Sequence, residues 1–461
     1  MQNSPVRLRL LLLIAGCAVV FDARAGTALT SEQAVALAMK QNAEIAIARK
    51  QIEAAHGGVI EARSGYLPSV VASGLYRKRE EQADTNLRTD DYNGSARVVQ
   101  NIYTGGAVSA QVSIATLLEQ KRILELQALQ NRVAMDVRIS YYDVLLNRAK
   151  VGVREQAVRV LQEELKSQRE RLSAGIVGEL NVHRAEVALA NEQPELIDAE
   201  TRLQNSRLQL ATLLGIETTA GSAAAAVDTS GDLRYAGYAP DLNECLAYAS
   251  VERPEVKARE IDVAIEGAQL QLDRSETRPH VDVFSGYEVY SELDPLVGRE
   301  FNHGYVFGVN ANWHVFDGYA TRGRMQATRA RRDAAMHALD AARASVSTDV
   351  RSAFLELDQA RRTLEAETTS VSNADQSLEI AKANLAAGLG TQLDVLQATT
   401  DVTRTRTTRL TAIYQHNVAL ARLAHATARP PDSLAFGRKK HDADQQAVQL
   451  TEPPRNLATQ P

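Results

Sequence analysis

The chain repeats itself after a little over two hundred residues, and that repeat restricts its fold more than any other feature. Ala174-Gly175-Ile176-Val177-Gly178-Glu179-Leu180-Asn181-Val182 returns as Ala387-Gly388-Leu389-Gly390-Thr391-Gln392-Leu393-Asp394-Val395. The lag is 213 residues. Four of the nine positions are identical, and Ile/Leu, Glu/Gln and Asn/Asp pair like with like. At a lag of 211, Glu44, Arg63, Ser64, Pro68, Val70 and Tyr76 recur as Glu255, Arg274, Ser275, Pro279, Val281 and Tyr287. The lag is 213 again at Gly105/Gly318 and Ala107/Ala320. Two copies of a unit this long imply a tandem duplication with pseudo-twofold construction. Shared helical composition cannot align a proline, several glycines and two strand-like segments.

The first 25 residues read as an export signal. Arg7 and Arg9 precede an apolar run from Leu10 to Phe21, and Ala23-Arg24-Ala25 offers a small-x-small cleavage site. The competing reading is a lipoprotein signal, with Ile14-Ala15-Gly16 leading to a lipidated Cys17. Residues 26–216 then form the first repeat, 217–240 a linker, 241–428 the second repeat, and 429–461 a Pro-rich polar tail without period. Beyond residue 25 no apolar run reaches the ~20 residues of a membrane helix. Removing the leader takes the formal charge from −5 to about −7, which argues against a nucleic-acid partner. Cys245 is then the one remaining cysteine. It aligns with Ala34 and reads as a small buried residue rather than half of a disulfide.

Proline placement separates the segments. None occurs from 69 to 193 or from 296 to 429, and both stretches are rich in Ala, Leu, Arg, Gln and Glu, which favour helix. The spacing predicts one helix over 106–173 and its mate over 318–386, each reaching ~100 Å. Helices of that length need lateral partners. Ile114, Leu117, Leu118, Leu124, Val137, Tyr141, Val144 and Leu145 supply a coiled-coil-like stripe. Gly175 and Gly388 end the long helices. Return helices follow over 179–214 and 392–428, giving two antiparallel hairpins. Pro194 predicts a kink or break in the first return helix only. Single helices over 30–63 and 242–276 open the two halves.

Between opening helix and long helix each half carries two strand candidates. In 280–290, Val281, Val283, Tyr287 and Val289 alternate with Asp282 and Glu288. In 305–316, Tyr305, Phe307, Val309, Ala311, Trp313 and Val315 oppose Asn310, Asn312 and His314. The equivalents at 69–77 and 95–103 are weaker. The polar stretches 79–91 and 291–303 read as links. Such alternation is the signature of an outer-membrane barrel; a soluble sandwich with one wet face is the other reading. Four strands cannot close a barrel, since ~8 is the smallest number known. The open edges then require further copies of the chain. The expected class is therefore mainly α with a membrane β-barrel portion. Long helical hairpins build an α-barrel, and each chain contributes four strands.

This order of elements resembles the TolC-like outer-membrane efflux proteins over about residues 27–428. Stretches that look like family landmarks are 29–35 with Asn42, Leu67-Pro68, Phe316-Asp317-Gly318, 387–396 and 414–423. The resemblance implies a homotrimer whose twelve strands form one open barrel. It also implies a helical tunnel crossing the periplasm of a Gram-negative cell, surrounded above by outer-membrane lipid. A periplasmic adaptor and an inner-membrane transporter of the ABC or RND type would dock at the lower end. The duct would be passive, serving type I protein secretion or multidrug efflux. The non-lipidated start inclines the reading to type I secretion. A periplasmic coiled-coil scaffold without a pore is the competing class.

In the family, acidic side chains just after the second hairpin tip ring the closed entrance. Asp394 matches the first of these. The second falls at Gln397, and the first-half equivalent of Asp394 is Asn181, so this ring carries fewer charges. Rings of Asp or Glu favour cations. The plainer role for Asp394 is to cap a helix start. The resemblance makes Gly175, Ile176, Val177, Gly388, Leu389, Gly390 and Thr391 adaptor-docking residues; the two glycines also suit plain helix ends. Tyr287, Tyr305 and Trp313 are expected in an interfacial aromatic belt, or else packed against neighbouring strands. No phosphate-binding loop, His-Glu-x-x-His pair or nucleophile elbow occurs, so no enzyme activity, cofactor or metal is expected.

Overall fold

The structure, a computed structural model, describes residues 28–80, 88–216, 227–235, 237, 240–294 and 298–429. The expected export signal with Cys17, part of the linker and the tail beyond Arg429 lie outside the described residues. The first half runs α1 (Ser31–Gln41), α2 (Ala43–Ser64), β1 (Ser69–Glu80), β2 (Arg88–Tyr103), α3 (Ala107–Ser173) and α4 (Glu179–Leu214). The second runs α5 (Leu242–Glu252), α6 (Pro254–Ser275), β3 (His280–Asp294), β4 (Gly298–Asn312), α7 (Ala320–Ala386) and α8 (Gln392–Thr427). The long helices α3 and α7 have 67 residues each, ~100 Å of helix.

Two expectations change. The single opening helix of each half is two helices, broken at Asn42 and at Arg253, both in extended conformation. The Asn42 carboxamide oxygen caps α2, accepting from the Glu44 and Ile45 amides at 2.9 and 3.3 Å. At the second break Pro254 occupies the first helical position, where its missing N–H costs nothing. Both break residues also hold the return helix. Asn42 Nδ2 donates to the Leu213 carbonyl at 3.0 Å, and Arg253 Nη1 donates to the His425 carbonyl at 3.0 Å. The second change is at Pro194, where α4 runs unbroken from Glu179 to Leu214. Pro194 sits on the exposed side, and packing along α3 holds the helix through one missing hydrogen bond.

The core lies at the waist of the helices. One cluster joins Val137, Tyr141 and Val144 of α3 to Ala34, Ile45, Leu210, Leu214 and Ile413. A second joins Val346, Val350 and Leu357 of α7 to Cys245, Ala249 and Leu423, and a small third, Leu165, Val182 and Ala185, lies toward the first hairpin tip. Cys245 is buried as expected, and burial pushes its thiol pKa up. The described part of the linker is fastened to this waist. Thr229 pairs with Leu29 in a parallel bridge. The Tyr141 hydroxyl donates to the Ser230 carbonyl at 2.6 Å, and Arg148 reaches Asp228 at 2.5 Å.

The four strands form one antiparallel sheet in the order β1-β2-β3-β4. The register places Val70, Tyr76, Tyr92, Val98, Val283, Tyr287, Val289, Tyr305, Phe307 and Val309 on one face. The other face carries Arg97 ion-paired to Glu288, a Ser73–Ser95 hydroxyl contact and Asn310 donating to Asp282. One face therefore suits lipid and the other water. The strands run further into the expected links than the alternation indicated. β4 stops at Asn312, so Trp313 to Phe316 lie past its end. Within the chain, β1 and β4 each have a bonded neighbour on one side only.

Candidate pore entrance and membrane belt

Far from the sheet, the two hairpins turn in nearly the same way. Gly175 and Gly388 hold φ of +71° and +75°, the left-handed region that glycine enters without steric cost. Each glycine lets the chain close a helix-terminating bond: the Ile176 amide to the Arg171 carbonyl at 2.9 Å, and the Leu389 amide to the Asn384 carbonyl at 2.8 Å. Ile176 and Leu389 project from the tips, Leu389 at 83 % exposure. Thr391 is exposed, and Val177 and Gly390 are half-buried. Apolar side chains this exposed at the end of a long hairpin form a surface that a partner can cover.

Asp394 is exposed and bound locally. Its carboxylate accepts from the Thr391 amide at 2.8 Å and from the Thr391 hydroxyl at 2.7 Å. The Thr391 hydroxyl in turn caps the Asp394 amide at 3.3 Å, completing a capping box. These hydrogen bonds, the Thr391 hydroxyl first, hold its pKa below the usual carboxylate value. The capping role is thus present, and it leaves the charge facing solvent. Gln397 is exposed one turn further along α8. The first tip has no equivalent side-chain cap at Gly178.

Asn181 meets the second hairpin through its backbone. Gln392 Nε2 donates to the Asn181 carbonyl at 3.0 Å, joining the two tips directly. Gln392 is buried although it stands in the first turn of a tip helix. Sequence reasoning missed it, because its repeat mate Glu179 is an ordinary exposed acid. About 20 Å further along α8, Arg406 reaches Gln156 of α3 at 3.1 Å and Asp375 of α7 at 3.0 Å. Among the described residues no His, Cys, Asp and Glu cluster could hold a metal ion.

The expected belt residues divide between two heights. Tyr287 and Tyr305 pair across β3 and β4 on the apolar face, with ring centroids 5.3 Å apart and edge-to-face. Trp313 lies one residue past the C-terminal end of β4, and its indole Nε1 donates to the Thr277 carbonyl at 3.1 Å. Eight residues separate Tyr305 from Trp313, ~26 Å of extended chain and ~20 Å of height at a barrel tilt near 40°. Exposed Phe307 and Val309 occupy the interval.

Solved structures with this fold include outer-membrane channels. Residues 34–216 and 246–429 match the family described as outer membrane efflux protein, one match in each repeat. The cobalt-zinc-cadmium resistance protein CzcC of Cupriavidus metallidurans is 24 % identical over 380 residues, 82 % of this chain and 85 % of that protein. The outer membrane protein TolC of Vibrio cholerae is 25 % identical over 360 residues, 76 % and 79 % of the two chains. Among solved structures, the outer membrane protein VceC of Vibrio cholerae superposes with a TM-score of 0.72 at 17 % identity, covering 87 % of this chain and 96 % of that one. The outer-membrane channel OprN gives 0.72 at 18 %, with coverages of 87 % and 90 %. With an open apolar-faced sheet at one end and paired helical hairpins at the other, the chain belongs to the outer membrane efflux protein family and is an outer-membrane channel-tunnel of efflux and secretion.

Proposed function

We propose that three copies of this chain close a twelve-stranded barrel, and that the hairpin tips form the gated entrance where a periplasmic adaptor and an inner-membrane transporter of the ABC or RND type dock. The open four-stranded sheet with one apolar face carries this reading. An edge strand in lipid must find a partner for its backbone groups, and β4 of one copy beside β1 of the next supplies it. A scaffold without a pore has no use for such a sheet. Residues 1–25 act as the export signal, and substrate passes through without chemistry. Mass measurement of the detergent-extracted protein, with planar-bilayer conductance in parallel, tests the proposal. A trimer with small, cation-selective, mostly closed conductance is expected. A monomer that leaves the bilayer silent would overturn the reading.

Under threefold symmetry Asp394 becomes three carboxylates facing the entrance, with Gln397 and Asn181 uncharged beside them. Asp394→Asn is expected to weaken block by multivalent cations several-fold; unchanged block removes the ring role. The pH dependence has a definite sign. The depressed folded pKa keeps the ring charged as pH falls through the range where an ordinary carboxylate neutralises. The contribution of Asp394 to the cap is present above the unfolded carboxyl pKa and is lost as pH falls through the lower folded value. Cation block measured against pH should therefore decline later than for an unperturbed carboxylate.

Gln392→Ala removes the direct tie between the tips. The expected result is a higher open probability in bilayer recordings without loss of the trimer. An open probability equal to wild type would show that Gln392 only packs.

A further inference from the structure

Just below the sheet, where β4 gives way to α7, the chain holds an unusual backbone. Tyr319 has φ +67° and ψ 12°, one of two positive-φ residues other than glycine among those described. Its repeat mate is Gly106, at φ +97°. The first half thus uses glycine where the second holds a tyrosine against a steric cost of about 1–3 kcal/mol. The strain keeps an aromatic ring at the surface. Tyr319 is exposed and packs edge-on against exposed Phe316, with centroids 5.5 Å apart. Both rings lie just past Trp313, at the end of the apolar face.

A second observation is independent of the first. Arg63 in the last turn of α2, Arg274 in the last turn of α6, and Arg322 and Arg329 in α7 are all exposed. Among the described residues none of the four guanidinium groups has a hydrogen-bond or ion-pair partner. Elsewhere in the helices most exposed arginines are paired, as Arg361 and Arg362 are with Asp358. Arg322 and Arg329 are seven residues apart and share one face of α7, beginning one turn after Tyr319. Arg63 and Arg274 are repeat mates. Three of the four lie in the helical turn nearest the sheet, and Arg329 is ~13 Å along α7. The whole chain is net negative, so this concentration of free positive charge is local.

We propose that Phe316, Tyr319, Arg322 and Arg329, with Arg63 and Arg274, bind the phosphate headgroups of anionic phospholipids in the periplasm-facing leaflet. The occupant follows from the position. Residues that continue an apolar membrane face stand at headgroup depth, and unpaired guanidinium groups there complement phosphate, to which arginine donates in a bidentate fork. The aromatic pair fits the same boundary, apolar in body and polar at the tyrosine hydroxyl. This inference rests on the barrel reading above. If β4 of one copy pairs with β1 of the next, Arg322 and the next copy's α2 end flank the same joint. A phosphate between them would relieve the repulsion of like charges that the exposed Glu61 and Asp317 only partly offset.

Native mass spectrometry of the full-length protein in detergent tests the site, with phosphatidylglycerol or phosphatidylethanolamine added after delipidation. The wild-type trimer should retain phosphatidylglycerol preferentially, by about fivefold for each engaged arginine, and the preference should shrink with salt. R322Q/R329Q should lose most of the preference, and R322K/R329K should keep part of it. Y319G removes the strain, so it should keep the trimer while weakening lipid retention. Equal retention of both lipids by the wild-type trimer would overturn the proposal, whatever the variants do. So would an R322Q/R329Q trimer with undiminished preference. Absence of a trimer mass would instead count against the barrel itself.

Discussion

Arg253→Ala should lower stability by about 2–4 kcal/mol, the loss of charge-assisted hydrogen bonds to two helix-end carbonyls and of the packing of a buried side chain between half-exposed carboxylates. The Arg253 side chain is only 7 % exposed. It donates to the His425 and Ala426 carbonyls at 3.0 and 3.3 Å, at the end of α8, where orphan carbonyls concentrate negative partial charge. It also lies 3.4 Å from Asp349 and 3.2 Å from Glu255. Deleting it leaves two buried carbonyls and two carboxylates without their cation. Asn42 does the same work in the first half with a neutral side chain, capping α2 and holding the Leu213 carbonyl. Asn42→Ala should cost about 1–2 kcal/mol, the usual loss for a cap. Thermal unfolding of both variants in detergent, followed by circular dichroism, decides the order. An Arg253→Ala midpoint no lower than that of Asn42→Ala would refute the buried-clamp account.

The same two residues show where the sequence was hard to read. Both helix breaks are a single residue long, so the apolar periodicity of the opening segments continues across them. The signals were present, since Asn is a preferred N-cap and Pro254 marks a first helical position. Each is local, however, and a 3.6-residue pattern outweighs it in a window of 20 residues. The long hairpins were legible to within a residue or two, because proline-free stretches and the glycines at 175 and 388 leave little choice. Pro194 does not break α4, because a break is a property of the isolated helix, while the continuity of α4 comes from α3. The strand ends shifted for a related reason. Alternation through His314 and Val315 looked like strand, but the turn into α7 ends the pairing at Asn312. At the second hairpin tip, Asp394 was visible as an acid at a helix start, the capping role that the structure shows. Gln392 could not be found, because its value lies in a carbonyl 211 residues away.

Gly388→Trp should abolish export while leaving the trimer assembled. The structure makes the outcome interpretable. A Cβ at Gly388 would meet nothing within 4 Å, so a side chain leaves the backbone without a clash inside the chain, and the local cost is that of φ +75°. For an L-residue that cost is about 1–2 kcal/mol, small against the packing along two 67-residue helices. Gly388→Ala carries the same backbone cost with almost no added bulk, and it is the control. If the tip must admit a partner closely, Ala should retain most export and Trp should lose it. Gly175→Trp should behave likewise, since Gly175 has the same conformation and equally open surroundings. Secretion or drug-efflux assays in cells, alongside the native mass of each variant, separate assembly from docking. Normal export by Gly388→Trp would remove the docking role from the second tip. Equal loss in the Ala and Trp variants would trace the defect to backbone strain instead of a blocked contact.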